Sequence, residues 1–187
     1  EVRVLLQKKL LQKYVSPHSQ AYPEGFTDKD GFWTSVYSIP RVIAYNTNLV
    51  KPDVAPKTFD DVLNPRWKGG FGMSDSATLW YTGFLKFAGE EKGRDFMRKL
   101  AAQKPAFRDG NVLIANLLAA GEFPIGITYA HLIERLRTRG APVDWVALKP
   151  MVAAPISIAL AARPMNPNAA NLFVDLVLSK EGSEILK

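Results

Sequence analysis

The tetrapeptide Ser74-Asp75-Ser76-Ala77 stands directly ahead of an apolar, helix-patterned stretch, and two chemistries suit it. Unpaired N–H groups at a helix start carry partial positive charge and bind anions, with nearby hydroxyls as further donors. Alternatively, Ser74 or Asp75 is only the cap of that helix. Asp75 is awkward in an anion site and points to a solute that also carries an amine. Asn111, after Arg108-Asp109-Gly110, suits the cap of a second helix. Thr128-Tyr129-Ala130-His131 closes a strand-like run; the Tyr129 phenol can donate to a ligand or be satisfied within the core. Arg41 offers a planar fork that pairs with a carboxylate or phosphonate, or it forms a structural salt bridge. Trp33 and Tyr37 precede it. Trp80 suits a core and Tyr81 a pocket wall.

Catalytic constellations are missing from the sequence. The chain has two histidines, His18 and His131, and no cysteine, and neither histidine sits in a nucleophile elbow or a metal-binding helix pair. Gly69-Gly70-Phe71-Gly72 lacks the Lys-Ser/Thr that grips phosphate in a P-loop. The acid pairs Asp60-Asp61 and Glu90-Glu91 fall at helix starts or turns, where solvation and the helix dipole account for them. No enzyme and no cofactor are expected. Metal ligands are likewise not expected, with His131 the one candidate. The formal charge is +6, but the basic residues are spread among acids over several helices, which argues against nucleic acid. A mild positive excess can still draw anionic solutes toward a cleft.

Positioning these residues requires alternating strands and helices. Val4 to Tyr14 has helical spacing. Phe32 to Tyr45 is dense in aromatic and β-branched residues and reads as extended chain, with Pro40 marking an edge or a break between two strands. Thr58 to Leu63 reads as a short helix with Thr58 as cap and Asp61 as the acid of a capping box. Gly69 to Met73 is a brief apolar segment. Helices follow through Leu79–Phe87, Gly93–Gln103, Asn111–Leu118 and His131–Arg139. Strand candidates lie at Phe123–Tyr129, Val143–Leu148 and Ala154–Ala161, and Asn168 caps a last helix over Ala169–Leu178. The fold class is α/β with covered sheets. No run approaches the roughly 18 apolar residues that span a bilayer.

Several motifs in order resemble the type 2 periplasmic solute-binding proteins of ABC importers, in the branch of ferric-ion and phosphonate receptors (extracellular solute-binding protein family 1). Asp30-Gly31-Phe32-Trp33 with Arg41 to Asn48 resembles the crossover strand between lobes. Pro56 to Gly69, containing Phe59-Asp60-Asp61-Val62-Leu63 and Arg66-Trp67-Lys68-Gly69, is similar to a family signature. Ala120-Gly121-Glu122 with Ile125-Gly126-Ile127 matches a turn and strand. Asn166 to Ala170, Phe173 and Ser179-Lys180-Glu181-Gly182 look like the late helix and its exit.

The resemblance implies two lobes, each a mixed β-sheet flanked by helices: residues 1–47 as a partial first lobe and crossover strand, 48–149 as the second lobe, and 150–187 as a return segment of the first. It implies that the first lobe is incomplete, with the chain a fragment or a mature form without its beginning and without a signal peptide. Solute would bind in the interlobe cleft, contacted by Ser74, Asp75, Ser76, Ala77, Asn111, Thr128, Tyr129, Arg41 and Trp33. Iron-binding relatives place two adjacent tyrosines where this chain has His131 and Leu132. A hard ferric ion requires oxygen ligands, so iron is doubtful. The implied function is reversible capture of a small, anionic solute in the periplasm, or from a lipoprotein anchor, and delivery to an ABC permease in the inner membrane. The rival is the same lobe architecture serving as the effector-binding domain of a transcription regulator.

Overall fold

The structure, a computed structural model, describes residues 2–149 and 151–186 and, at Leu79, the backbone. In chain order the elements are helix α1 (Val2–Gln7), strands β1 (Leu11–Gln12) and β2 (Thr34–Asn46), helix α2 (Phe59–Val62), strand β3 (Phe71–Ser74) and helices α3 (Thr78–Ala88) and α4 (Glu90–Ala102). There follow β4 (Ala106–Arg108), α5 (Asn111–Ala119), β5 (Ile125–Tyr129), α6 (Ala130–Arg137), β6 (Val143–Val146), β7 (Ala153–Ile158), β8 (Leu160–Ala161), α7 (Pro167–Leu178) and α8 (Lys180–Ile185). The fold is α/β. The chain forms two compact units, Ile39–Ala154 and Glu1–Ser38 with Pro155–Lys187.

The Ile39–Ala154 unit is built on a mixed sheet in the order β4-β3-β5-β2-β6, with β7 also pairing to β2. β3 is parallel to β4 and β5, whereas β2 is antiparallel to β5 and β6. Both faces of this sheet are covered, which explains the unbroken buried run Val42-Ile43-Ala44-Tyr45 in β2. Successive side chains serve opposite cores, as strand geometry dictates. Ile43, Tyr45, Ile125 and Ile127 join Trp80, Phe84 and Phe96 on one face. Ala44 joins Ile114, Leu118 and Ile133, from α5 and α6, on the other. Phe84 lies 4.7 Å, centroid to centroid, from both Phe59 and Phe96. β3 and β5 approach so closely at Gly126 that a Cβ there would lie 2.9 Å from the Gly72 carbonyl oxygen.

Local signals account for several element boundaries. Thr58 and Asp61 form the expected capping box: Asp61 N–H donates to Thr58 Oγ1 at 3.2 Å and Thr58 N–H to Asp61 Oδ2 at 2.9 Å. Other expectations need correction. The helix expected over residues 4–14 ends at Gln7; Lys9 takes φ 55°, and Leu11–Gln12 pair instead with Leu160–Ala161 of β8. β2 runs through Pro40 without a break, the next N–H, Arg41, donating to Val152 O at 3.0 Å. Asn168 is not a cap, because α7 begins at Pro167 and Asn166 holds the cap position without a side-chain bond. β4 was not anticipated.

The other unit has a smaller core of Leu160, Val174 and Leu178, supported by Tyr14, Tyr22, Val36 and Ile158. Tyr14 donates to Asp175 Oδ2 at 2.8 Å and Tyr22 to the Leu178 carbonyl at 3.2 Å. These two bonds tie the early segment to α7.

Candidate functional site

Because β4, β3 and β5 are parallel neighbours, their carboxyl ends share one edge of the sheet. A helix starts after each: α3 after β3, α5 after β4 and α6 after β5. In open α/β sheets this edge is where ligands bind. The cap positions of these three helices are Ala77, Gly110 and Tyr129, and none makes a side-chain cap bond. First-turn N–H groups at three helix starts are therefore left without side-chain acceptors, and each start carries partial positive charge. The sequence alternatives of Ser74 or Asp75 as the α3 cap and Asn111 as the α5 cap are thereby corrected. Gly110, at φ 80°, takes the cap position, and Asn111 is the first helical residue.

Most of the expected site residues come together here. Ser74 ends β3 fully buried; its Oγ lies 2.8 Å from Ser76 Oγ and accepts the Ser76 N–H at 3.2 Å. Ala77 N–H donates back to Ser74 O at 3.2 Å, closing the turn, and Asp75 N–H donates to Arg108 O at 3.2 Å. Asp75 and Ser76 are exposed, whereas Ala77 is buried. Thr128, fully buried, donates from Oγ1 to the Asn111 carbonyl at 3.0 Å, fastening the end of β5 to the start of α5. Arg41 faces Tyr129 across the β2–β5 register. Its Nη1 donates to Asn111 Oδ1 and its Nη2 to Tyr129 Oη, both at 3.2 Å, and its Cζ sits 4.7 Å from the Tyr129 ring centre. Among the described residues the buried polar side chains of this unit are Arg41, Asn46, Ser74 and Thr128, so three of the four lie at this edge.

Other candidates fall elsewhere. Trp33 belongs to the Glu1–Ser38 unit, beside Tyr14, Tyr22 and Asp28. Trp80 is core. His131 is exposed, its ring stacked on Tyr129 at 5.7 Å; partial burial and the neighbouring Arg135 push its pKa below the usual histidine value. Among the described residues no three His, Asp or Glu side chains gather into a metal-binding group. Sequence reasoning missed Arg108, whose carbonyl holds the Asp75 amide and whose guanidinium pairs with Glu122. Only β4 places it there.

The model of the bacterial extracellular solute-binding protein family matches residues 3–187. The chain belongs to that family. An uncharacterized protein of Haemophilus influenzae is 30% identical over 191 residues, covering 94% of this chain and 55% of that one. Among solved structures, the periplasmic binding protein AfuA from Actinobacillus pleuropneumoniae, with fructose 6-phosphate bound, superposes with a TM-score of 0.82 at 25% identity, covering 96% of this chain and 60% of AfuA. The periplasmic binding protein P5PA gives 0.81 at 25% identity, covering 97% and 61%. The chain thus spans 55–61% of the length of these relatives. A mixed sheet flanked by helices is the fold of periplasmic binding proteins. This solute-binding family, like both structural relatives, is one of binding proteins rather than enzymes, and its setting is extracellular or periplasmic.

Proposed function

We propose that this chain captures a small anionic solute for a bacterial ABC importer, holding it at the carboxyl edge of the Ile39–Ala154 sheet. The observation that carries the reading is the convergence there of three helix starts without side-chain caps. Each start favours an anion by about 0.3–1 kcal/mol when exposed, and more when partly buried. The first-turn amides of α3, the Ser76 hydroxyl, the Asn111 side chain and the Tyr129 phenol supply directional donors, each charge-assisted bond adding about 1.5–3 kcal/mol. Arg41 adds positive charge, and no carboxylate among the described residues forms an ion pair with it. Fructose 6-phosphate in AfuA is a precedent for an anionic solute on this fold. The partner would be a permease in the inner membrane, reached from the periplasm.

Isothermal titration at neutral pH tests the reading with sulfate, inorganic phosphate, fructose 6-phosphate, fructose and spermidine. At least one of the three anions should bind reversibly, with fructose and spermidine inert. Selective binding of the neutral or cationic compounds, or turnover of fructose 6-phosphate, rejects it.

A further inference from the structure

One polar side chain at this edge is almost closed off from it. Arg41 is 6% exposed and lines a small cavity with Phe59, Trp80, Ile127, Leu148 and Val152. Burying a cation among apolar groups is costly when no counter-charge is present, and its Nε is buried without a hydrogen-bond partner. Its two remaining nitrogens go to neutral acceptors on two different elements, Asn111 at the start of α5 and Tyr129 at the end of β5. A planar guanidinium holds two such acceptors at a fixed spacing, which a lysine ammonium cannot do.

The direction of these bonds has a chemical consequence. Arginine only donates, so both partners must accept. With Oδ1 of Asn111 turned to Arg41, the amide NH2 is the part left to face elsewhere. With its oxygen accepting from Arg41, the Tyr129 hydroxyl keeps its own hydrogen to give away. Two side chains that could each have presented a donor or an acceptor are thereby both set as donors. We propose that Arg41 is a positioning residue that works from behind the edge. It orients Asn111 and Tyr129 as hydrogen-bond donors before the solute arrives, and so selects for acceptor-rich, anionic solutes without touching them. The role assigned to the two donors rests on the anion reading above; the orientation imposed by Arg41 does not.

Sulfate is the probe, because its charge is constant over the working pH range. In the wild-type chain, NMR should show sulfate shifting the Asn111 side-chain amide and the Tyr129 ring while leaving the Arg41 Nε signal nearly unmoved. A large Arg41 shift of its own would mean direct contact and overturn the proposal. Arg41→Lys and Arg41→Met should both lower sulfate affinity about 10- to 100-fold, by analogy with the loss when the partner behind a metal-binding side chain is removed. Adding Arg41→Lys to Asn111→Ala should cost less than the two losses combined, since both act through one group. Wild-type affinity in the Lys variant would show that charge alone matters, and the proposal fails. If wild type binds no sulfate, the panel anion that does bind replaces it as probe; if none of the three anions binds, it is the anion reading that fails. The ligand-free spectra then decide on Arg41: a fixed Asn111 amide that becomes averaged in Arg41→Lys upholds the positioning role, and an unchanged one overturns it.

Discussion

Replacing Ser74 with alanine separates the 74–77 turn as a binding device from the same turn as scaffold. The Ser74 hydroxyl is fully buried and makes two contacts, 2.8 Å to Ser76 Oγ and 3.2 Å from Ser76 N–H. At about 0.5–1.5 kcal/mol net for each hydrogen bond, the loss comes to roughly 1–3 kcal/mol. Ser76 is exposed, so water can replace the lost acceptor, and the lower half of that range is expected. For a chain of this length each kcal/mol moves the melting temperature by about 2–4 °C, giving a fall of roughly 2–8 °C by calorimetry. Affinity for whichever panel anion binds should fall about tenfold or more, because the first amides of α3 are no longer held in one direction. Ser76→Ala is the control: Ser74 Oγ still accepts the Ser76 N–H, so one bond rather than two is lost and the melting temperature should fall about half as far while affinity falls. Equal melting shifts in the two variants, or unchanged affinity in both, would refute the reasoning.

Three further outcomes follow from the packing and the charges. Gly126→Ala should destabilise by about 1–3 kcal/mol in a denaturant titration, because the new methyl meets the Gly72 carbonyl at 2.9 Å and the strands must part. Phe84→Ala should cost about 3–5 kcal/mol, since Phe84 centres the stack of Phe59, Trp80 and Phe96. Glu134 accepts from the Trp145 indole at 2.6 Å and pairs with Arg137 at 2.8 Å, and these bonds hold its pKa below the usual glutamate value. A carboxylate depressed on folding stabilises above its unfolded pKa, and that stabilisation is lost as pH falls through the folded value. The melting temperatures of wild type and Glu134→Gln should therefore differ near neutrality and draw together as the pH falls below the usual glutamate value of about 4.3.

What the sequence revealed, and what it hid, follows the range of the forces involved. The Val42–Tyr45 run of β2 and most of β5 were legible because a strand segment covered on both faces is nearly continuously apolar. The α2 cap was legible because Thr58 and Asp61 are three residues apart. β4 was not, since Ala106-Phe107-Arg108 has no periodicity of its own and is held in place by β3, with Lys104 at φ 55° turning the chain toward it. The stretch from Leu10 to Tyr14 has helical spacing, yet pairing with β8, some 150 residues away, outweighs that local preference. At the site, residue types pointed to Ser74, Asn111, Tyr129 and Arg41 one at a time. That Arg41 holds both Asn111 and Tyr129 depends on the β2–β5 register, a long-range pairing that no local spacing encodes.

A crystal structure of this chain with the tightest-binding anion of the titration panel tests the central claim most directly. The anion should lie about 2.7–3.2 Å from first-turn amides of at least two of the helices α3, α5 and α6, with Asn111 and Tyr129 donating to it. An anion bound away from all three helix starts, or a neutral solute seated there instead, would contradict the account.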